Sequence, residues 1–295
     1  MPLTYAQPRG ERALADAISR HALLHLGQYS VLRCDGHIAY YASQMRQRTN
    51  QVMHTFDGSG WREFCLPSAQ EEVLPGVCWG AFDEILTPAF WAGQAWLHAD
   101  SGRFARYKLG RSLREEVAAC ILGGYGIPAE MGLAAFERLR EQGLLESSPS
   151  DVSLEDALAQ PLLVNGRMLR YRFPRQKARH LSGALGRLNE VAGREGRALR
   201  DALMTLSGIG PKTASWITRN WCDADDVAIL DVHVCRACER AGVFPVGSDP
   251  SRHYLPLEEL YLRFSRAIGV RASMLDNLIW QTMRRLPHSV TVGAR

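Results

Sequence analysis

The feature that most constrains this 295-residue chain is a short glycine turn, LSGIGP at 206–211, between two helix-forming segments. Glycine reaches positive φ at low cost and proline suits the first residue of a helix, so the sequence predicts a helical hairpin over 198–221. A helix N-terminus carries unpaired N–H groups and a partial positive charge, which together can hold a phosphate oxygen. We expect such a phosphate to contact the following residues: Gly208, Ile209, Gly210 and Thr213.

Two reactive side chains follow this turn. Lys212 opens the helix behind the hairpin, and Asp231 stands 19 positions later in the segment ILDVH. A neutral amine can act as a nucleophile, and a carboxylate nearby can orient it, move protons and stabilise developing positive charge. Asp231 also suits the N-cap of a helix that begins at Val232, and the two roles are compatible.

The choice of basic residue favours a chemical role for Lys212. The chain contains 32 arginines but three lysines, Lys108, Lys177 and Lys212. Arginine is effectively never deprotonated, so it could not supply a neutral amine. A solvated surface cation at position 212 is therefore the weaker interpretation.

Positive charge is concentrated around the hairpin. Residues 160–221 contain 12 Lys and Arg against three Asp and Glu, although the whole chain has a formal net charge of only +4. This distribution predicts a phosphate-facing surface, and we expect Arg175 and Arg179 to bind the backbone of a nucleic acid. The densest cluster consists of Arg167, Arg170, Arg172, Arg175 and Arg179. The interleaved Tyr171 and Phe173 are expected to belong to the core.

These motifs resemble the helix-hairpin-helix DNA glycosylase superfamily, which includes endonuclease III and the 8-oxoguanine DNA glycosylase/AP lyases. The similarity lies in QKARHL at 176–181, LSGIGPKTASWITRN at 206–220 and DVHVCRACER at 231–240. It implies an enzyme that excises a base and nicks the strand, with Lys212 as the nucleophile and Asp231 as its partner. Ser207 departs from the family, which usually has proline there, and this affects the rigidity of the turn rather than the chemistry.

The resemblance implies roles for three further residues. His233 matches a position that approaches a backbone phosphate in the 8-oxoguanine branch, although a core histidine explains it equally well. Trp216 lies on the same helix face as Lys212, where it could stack on an extruded base or belong to the core. Tyr125, in a glycine-rich loop, is a candidate wedge for the gap that the extruded base leaves.

The seven cysteines lack the spacing of a disulfide framework, which fits a reducing compartment. Cys235 and Cys238 are expected to be small buried residues rather than metal ligands. Endonuclease III-type enzymes carry four closely spaced cysteines after this region for an iron–sulfur cluster, and none follows Cys238. We therefore expect no cluster and no required cofactor. Binding of a monovalent cation at the hairpin is an alternative that the sequence leaves open.

The sequence has no apolar run long enough for a transmembrane helix and no signal-peptide pattern. We expect a soluble, cytoplasmic monomer, associated with the nucleoid in a bacterium, that acts on double-stranded DNA containing a modified base.

The hydrophobic pattern is helical from residue 112 onward, and the resemblance implies a mainly α, two-lobed helix-hairpin-helix fold over 106–295, preceded by an N-terminal region of unplaced fold over 1–105. In that region we expect a helix at 11–26 and a small β-hairpin with strands at 29–33 and 37–41, whereas 55–97 has no clear period. Ser112 and Glu115 form a predicted capping box. Further helices are predicted at 129–143, 153–160, 174–192, 197–206, 211–221, 232–241, 255–268 and 272–285.

Together these observations predict a DNA glycosylase with AP-lyase activity that excises an oxidised purine such as 8-oxoguanine through a lysine Schiff base. Two alternatives stay open. Excision of a modified base from foreign DNA would use the same residues, whereas a non-catalytic helix-hairpin-helix module would need the glycines but neither Lys212 nor Asp231.

Overall fold

The computed structural model describes residues 29–34, 37–42, 49–56, 58–99, 108–124, 126–146 and 149–286, with the backbone alone at 29–34 and 37–42. Its strands are β1 (Tyr29–Cys34), β2 (His37–Ala42), β3 (Gln51–Phe56), β4 (Trp61–Leu66), β5 (Glu72–Leu74), β6 (Val77–Cys78), β7 (Leu162–Val164) and β8 (Arg167–Leu169). Its helices are α1 (Pro88–His98), α2 (Leu113–Leu122), α3 (Ala129–Glu141), α4 (Asp151–Ala159), α5 (Pro174–Gly186), α6 (Gly196–Leu203), α7 (Pro211–Cys222), α8 (Val232–Arg240), α9 (Pro250–Ala267) and α10 (Ala272–Met283).

The N-terminal region contains a four-stranded antiparallel sheet in the order β1-β2-β3-β4. The predicted hairpin is confirmed, because β1 pairs with β2 from Tyr29 opposite Ala42 to Cys34 opposite His37. Strands β3 and β4 lie partly in the stretch without a clear period, and the sequence did not predict them. The predicted helix at 11–26 lies outside the described residues.

One hydrophobic core joins this sheet to the C-terminal helices. It contains Met53 of β3 and Trp91 of α1 together with Tyr261 of α9 and Leu275 of α10. A Cβ at Gly93 would lie 2.6 Å from Sδ of Met53, so glycine lets α1 pack closely on the sheet. We call this unit the mixed lobe; residues 53–95 and 228–283 both contribute to its core.

A second core is formed by helices α2 to α7, and we call this unit the helical lobe. Ser112 caps α2 as predicted, its side chain accepting from the N–H of Glu115 at 3.3 Å. Glu116 is fully buried at the centre of the lobe. Its carboxylate accepts at 2.8 Å from the N–H groups of Leu109 and Gly110 and from the side chain of Asn220, which ties α2 to α7.

The helices predicted from residue 129 onward are confirmed with bounds that differ by a few residues, and two of them differ most. The helix predicted at 174–192 ends at Gly186 and a 3₁₀ turn follows at Leu188–Val191, because Arg187 leaves the helical conformation at φ −109° and ψ 8°. Helix α9 begins at Pro250 instead of 255 and is kinked at His253, since Pro256 cannot donate a hydrogen bond within the helix. Within the described residues, every helix is too short or too polar to cross a lipid bilayer.

Candidate active site

The predicted hairpin lies between α6 and α7. Gly208 has a φ of +72°, and a Cβ there would lie 2.3 Å from Cγ of His180, so only glycine fits. Gly210 is different, because it is exposed and a Cβ there would meet no protein atom within 4 Å. Among the described residues no side chain caps α7, and its first N–H groups have no intrahelical acceptor.

The other two predicted contact residues of the hairpin have different environments. The side chain of Ile209 is buried, and its N–H donates to the carbonyl of Leu206 at 3.3 Å. Ile209 therefore anchors the turn to the helical lobe. Thr213 is half-buried in the first turn of α7, close to the open helix N-terminus.

The predicted basic surface adjoins the hairpin. Its five arginines are all exposed, and Arg172, Arg175 and Arg179 line one surface depression together with His180. Nδ1 of His180 lies 3.4 Å from the hydroxyl of Ser207, so this depression continues into the turn. Burial and the nearby charge of Lys177 lower the pKa of His180, which keeps its ring neutral at pH 7.

The two aromatic residues among these arginines belong to the core, as predicted. Tyr171 is buried, and its hydroxyl donates to the carbonyl of Leu122 at the end of α2. Phe173 is partly buried against the core of the helical lobe. The exposed arginines, rather than these two aromatic residues, therefore face solvent in this segment.

A cleft of about 690 Å³ separates the helical lobe from α8 and α10 of the mixed lobe, and Lys212 and Asp231 both line it. The lining also includes Gly123 and Gly124 of the loop after α2, and Leu133 of α3. The size suits a single flipped-out base or a similar small group. The structure thus brings the two reactive residues of the sequence into one cleft directly behind the hairpin.

The three lysines have distinct environments. The ammonium of Lys108 lies 3.9 Å from the centre of the Trp221 ring. The ammonium of Lys177 donates to the carbonyls of Ile121 and Gly123 at the end of α2, and its burial lowers its pKa. Nζ of Lys212 has no hydrogen bond or ion pair among the residues that the structure describes, so its amine is available to a ligand in the cleft.

Asp231 is the N-cap of α8, as the sequence suggested. Its Oδ1 accepts from the N–H groups of His233 and Val234, both at 2.8 Å. Oδ2 forms no hydrogen bond within the described part of the chain. One carboxylate oxygen therefore fixes the side chain, while the second is left for a partner in the cleft.

The sequence did not decide the roles of three residues, which could belong to the hydrophobic core or to the active site. Trp216 lines the cleft and also packs against the helical lobe, where its ring lies 3.1 Å from the position of a Cβ on Gly123. His233 lines the cleft, and its Nδ1 is buried without a hydrogen-bond partner among the described atoms. Tyr125 lies outside the described residues, so its role as a wedge stays a prediction.

The sequence analysis missed the wall that α10 contributes. Asp276 and Trp280, one turn apart on α10, line the cleft together with Asn277. Asp276 is buried and its Oδ1 accepts from the guanidinium of Arg219 at 2.8 Å. Burial raises the pKa of Asp276 to about 7 against the opposing charge of Arg219. An acidic residue inside the apolar run ASMLDNLIW was the signal that could have revealed it.

Asp276→Asn is expected to flatten the dependence of stability on pH. Because the folded pKa lies above the ordinary value of aspartate, the native state binds the proton more tightly than the unfolded chain. This stabilisation is complete below about pH 4 and is lost as the pH rises through 7. Between pH 6 and pH 8 the loss amounts to about 1.4 kcal/mol.

Denaturant unfolding at these two pH values measures the effect. Asparagine keeps an acceptor for Arg219 but does not titrate, so the variant should lose less stability than the original protein over this interval. An equal loss in both proteins would show that Asp276 does not titrate there.

Cys235 and Cys238 are buried on α8, as expected for small core residues. Burial is the main cause that raises the pKa of the Cys235 thiol to about 12, and it raises that of Cys238 well above the ordinary value. Both side chains are therefore thiols at neutral pH. Within the described ranges, no group of three or more His, Cys, Asp or Glu side chains is arranged to hold a metal ion.

Comparison with known sequences finds relatives over part of the chain. An 8-oxoguanine DNA glycosylase/AP lyase of Metallosphaera sedula is 31% identical over 116 residues, which are 37% of this chain and 57% of the relative. The protein of the same name from Thermotoga maritima is 31% identical over 121 residues, 39% of this chain and 58% of the relative. The chain thus matches somewhat more than half the length of these curated relatives.

Comparison with solved structures finds a protein of the same kind as these sequence relatives. The crystal structure of the 8-oxoguanine DNA glycosylase of Thermotoga maritima aligns with a TM-score of 0.51 and 26% identity, covering 68% of this chain and 97% of that one. A sequence model described as 8-oxoguanine DNA glycosylase matches residues 102–270. This match spans more than half of the chain and includes the hairpin, Lys212 and Asp231, and the protein therefore belongs to the 8-oxoguanine DNA glycosylase family.

Proposed function

We propose that the protein is a bifunctional DNA glycosylase and AP lyase that excises an oxidised purine, 8-oxoguanine or a close analogue, through a Schiff base on Lys212. One observation carries the proposal. Lys212, whose amine has no hydrogen bond or ion pair among the described residues, lines the same base-sized cleft as Asp231 and stands in the first turn of the helix behind the glycine turn. The names of the relatives support the same activity.

The hairpin and the basic surface would bind the phosphate backbone of the duplex. A phosphate at Gly210 would accept from the first N–H groups of α7, and Arg175 and Arg179 would bind neighbouring phosphates. His233 at the start of α8 is a further candidate for a phosphate contact. These contacts would hold the backbone while the target nucleotide rotates out of the stack into the cleft.

The chemistry then uses groups of the chain alone. The neutral amine of Lys212 attacks C1′ of the extruded nucleotide, the glycosidic bond breaks and the base leaves with its electron pair. Loss of a proton from nitrogen and opening of the sugar give the Schiff base, and removal of a C2′ proton expels the 3′ phosphate by β-elimination. Asp231 would orient the amine and stabilise the positive charge that develops on the sugar.

The walls of the cleft fit a purine. Trp216 and Trp280 offer aromatic faces for stacking, and Asp276 and Asn277 offer hydrogen-bonding groups for the base edge. The guanidinium of Arg284 lies 4.2 Å from the centre of the Trp280 ring, which places a cation at the same wall. Oxidised purines expose both donors and acceptors, so a polar wall between two indoles suits them.

We also propose that the enzyme acts as a monomer on double-stranded DNA and requires no iron–sulfur cluster. The lysine mechanism consumes no redox equivalent, and the two cysteines of α8 are buried thiols. A monovalent cation at the hairpin stays a prediction, as does the cytoplasmic location.

A panel of duplexes, each with one modified or damaged base, tests the proposed function. We expect base release and strand nicking on 8-oxoguanine and little reaction on undamaged duplex. Release of a different modified base would redirect the substrate assignment towards excision from foreign DNA. Tight binding without any release or nicking would favour the non-catalytic binding module.

Gly210→Val is expected to weaken binding to every duplex, damaged or not, by roughly 10-fold or more, since it removes the close approach of phosphate to the N-terminus of α7. Position 210 has room within the protein, so the fold should be intact. Gly208→Val would instead clash with His180 and is not a clean test. Binding is measured by fluorescence anisotropy across a salt series, in which affinity should fall steeply.

Gly186→Val is the matched control, because Gly186 at the end of α5 also has no atom within 4 Å of an added Cβ. It should bind DNA as the original protein does. A Gly210 variant that binds normally but excises a different base would mean that the hairpin lines the base pocket, contrary to the proposed placement of the duplex.

A further inference from the structure

The two reactive residues of the site stand on different elements. Lys212 belongs to the first turn of α7, whereas Asp231 ends the irregular segment 223–231 that connects α7 to α8. An irregular segment does not fix its own position, so other contacts must hold Asp231 at the correct place relative to the amine. The buried contacts around this segment identify what does so.

The carboxylate of Glu258, on α9, contacts both elements. Its Oε1 accepts from the hydroxyl of Ser215 at 3.0 Å and from the N–H of Ala228 at 2.9 Å. Ser215 lies three residues after Lys212 on α7, and Ala228 lies three residues before Asp231. One oxygen atom of Glu258 therefore links α7, which carries Lys212, to the segment that ends at Asp231.

The other groups around Glu258 reinforce this junction. Arg200 of α6 donates to Oε2, and both side chains are buried. Tyr254, one turn before Glu258, donates to the carbonyl of Ala228 at 2.7 Å and accepts from the N–H of Leu230 at 3.2 Å. Thus α9 of the mixed lobe holds the segment before Asp231 and, through Glu258, the hairpin helices α6 and α7 of the helical lobe.

We infer that Glu258 is a positioning residue that sets the distance and orientation of Lys212 relative to Asp231, and this inference rests on the proposed function. Glu258 does not line the cleft. It acts through Ser215 and Ala228. A nucleophilic attack tolerates little displacement of the reacting groups, and a misplacement of about 1 Å can cost on the order of 10²-fold in rate.

Glu258 itself is a poor position for the test. Its removal would take away the buried partner of the Arg200 guanidinium and leave Arg200 paired with the exposed carboxylate of Asp201, which is destabilising. Ser215→Ala is a more specific test, because it removes the hydrogen bond between α7 and Glu258. Glu258 still pairs with Arg200 and still accepts from the N–H of Ala228. Alanine also favours a helix more than serine does.

Ser265→Ala is the matched control. Ser265 lies on α9 like Glu258, is equally buried and donates its hydroxyl to the carbonyl of Val270 in the connection between α9 and α10. It therefore loses a buried hydrogen bond of the same kind without touching α7 or the segment 223–231. Both variants are compared with the original protein in thermal unfolding, duplex affinity and single-turnover release of 8-oxoguanine with excess enzyme.

We expect Ser215→Ala to release the base roughly 10-fold more slowly, with duplex affinity within about twofold of the original. Ser265→Ala should keep the original rate even if it unfolds at the same temperature as Ser215→Ala. Equal rates for the two variants, with an active original protein, would overturn the positioning role and leave the proposed function intact. An original protein that neither releases a base nor forms a borohydride adduct would overturn the proposed function, and this inference with it.

Discussion

Lys212→Gln is expected to abolish the covalent protein–DNA adduct that borohydride traps during turnover and to reduce base release by at least roughly 10³-fold. A Schiff base is reduced to a stable amine, whereas an intermediate attacked by water leaves no link to the protein. Nζ of Lys212 has no ion pair or hydrogen bond among the described residues, so its replacement removes no contact that the fold requires. Duplex binding should persist, since the hairpin glycines and the arginines supply it.

Lys108→Gln is the matched control, because Lys108 stacks over Trp221 and does not line the cleft. It should trap as much DNA as the original protein. With three lysines in the chain, peptide mapping of the adduct is decisive. An adduct on Lys177, or normal trapping by Lys212→Gln, would remove Lys212 as the nucleophile.

The parts of the site that the sequence predicted are those that local chain geometry determines. The glycine turn fixes the entry of α7, so Lys212 must stand in its first turn, and Asp231 must stand at the N-terminus of α8. Both positions follow from helix ends, which short sequence patterns specify well.

The parts that the sequence did not predict depend on contacts between distant segments. Asp276 pairs with Arg219, 57 residues away, and Glu258 binds Ser215 and Ala228, 43 and 30 residues away. Their common sequence signal is an acidic residue within an apolar helix, which must find a partner if it is buried. Such a residue reveals that a partner exists but not which one.

Strands β3 and β4 of the N-terminal sheet were missed for a related reason. On β3 the fully buried side chains are Met53 and Thr55, so the alternation is short and contains one polar residue. Met53 packs against Gly93 of α1, and much of that core comes from helices about 200 residues later in the chain. A strand whose partners come from the other end of the chain shows little of its burial in its own sequence.

Asp231→Asn is expected to reduce base release by at least about 10²-fold while leaving stability nearly unchanged. Asparagine is as good an N-cap as aspartate, and its Oδ1 can still accept from the N–H groups of His233 and Val234. What the variant loses is the negative charge and the free acceptor that Oδ2 offers to the cleft. Single-turnover release of 8-oxoguanine and denaturant unfolding measure the two effects separately.

Asp249→Asn is the control, since Asp249 caps α9 in the same way, accepting from the N–H of Ser251 at 2.8 Å, and lies outside the cleft. Both variants lose one negative charge from an N-cap that asparagine can still fill, so any general effect of net charge or of the changed cap appears in both, and Asp249→Asn in addition loses an exposed ion pair with Arg252. Only Asp231→Asn should lose activity. If it remained fully active and bound DNA normally, the carboxylate would serve α8 as a cap alone, and Lys212 would need another group to stabilise the charge that develops on the sugar.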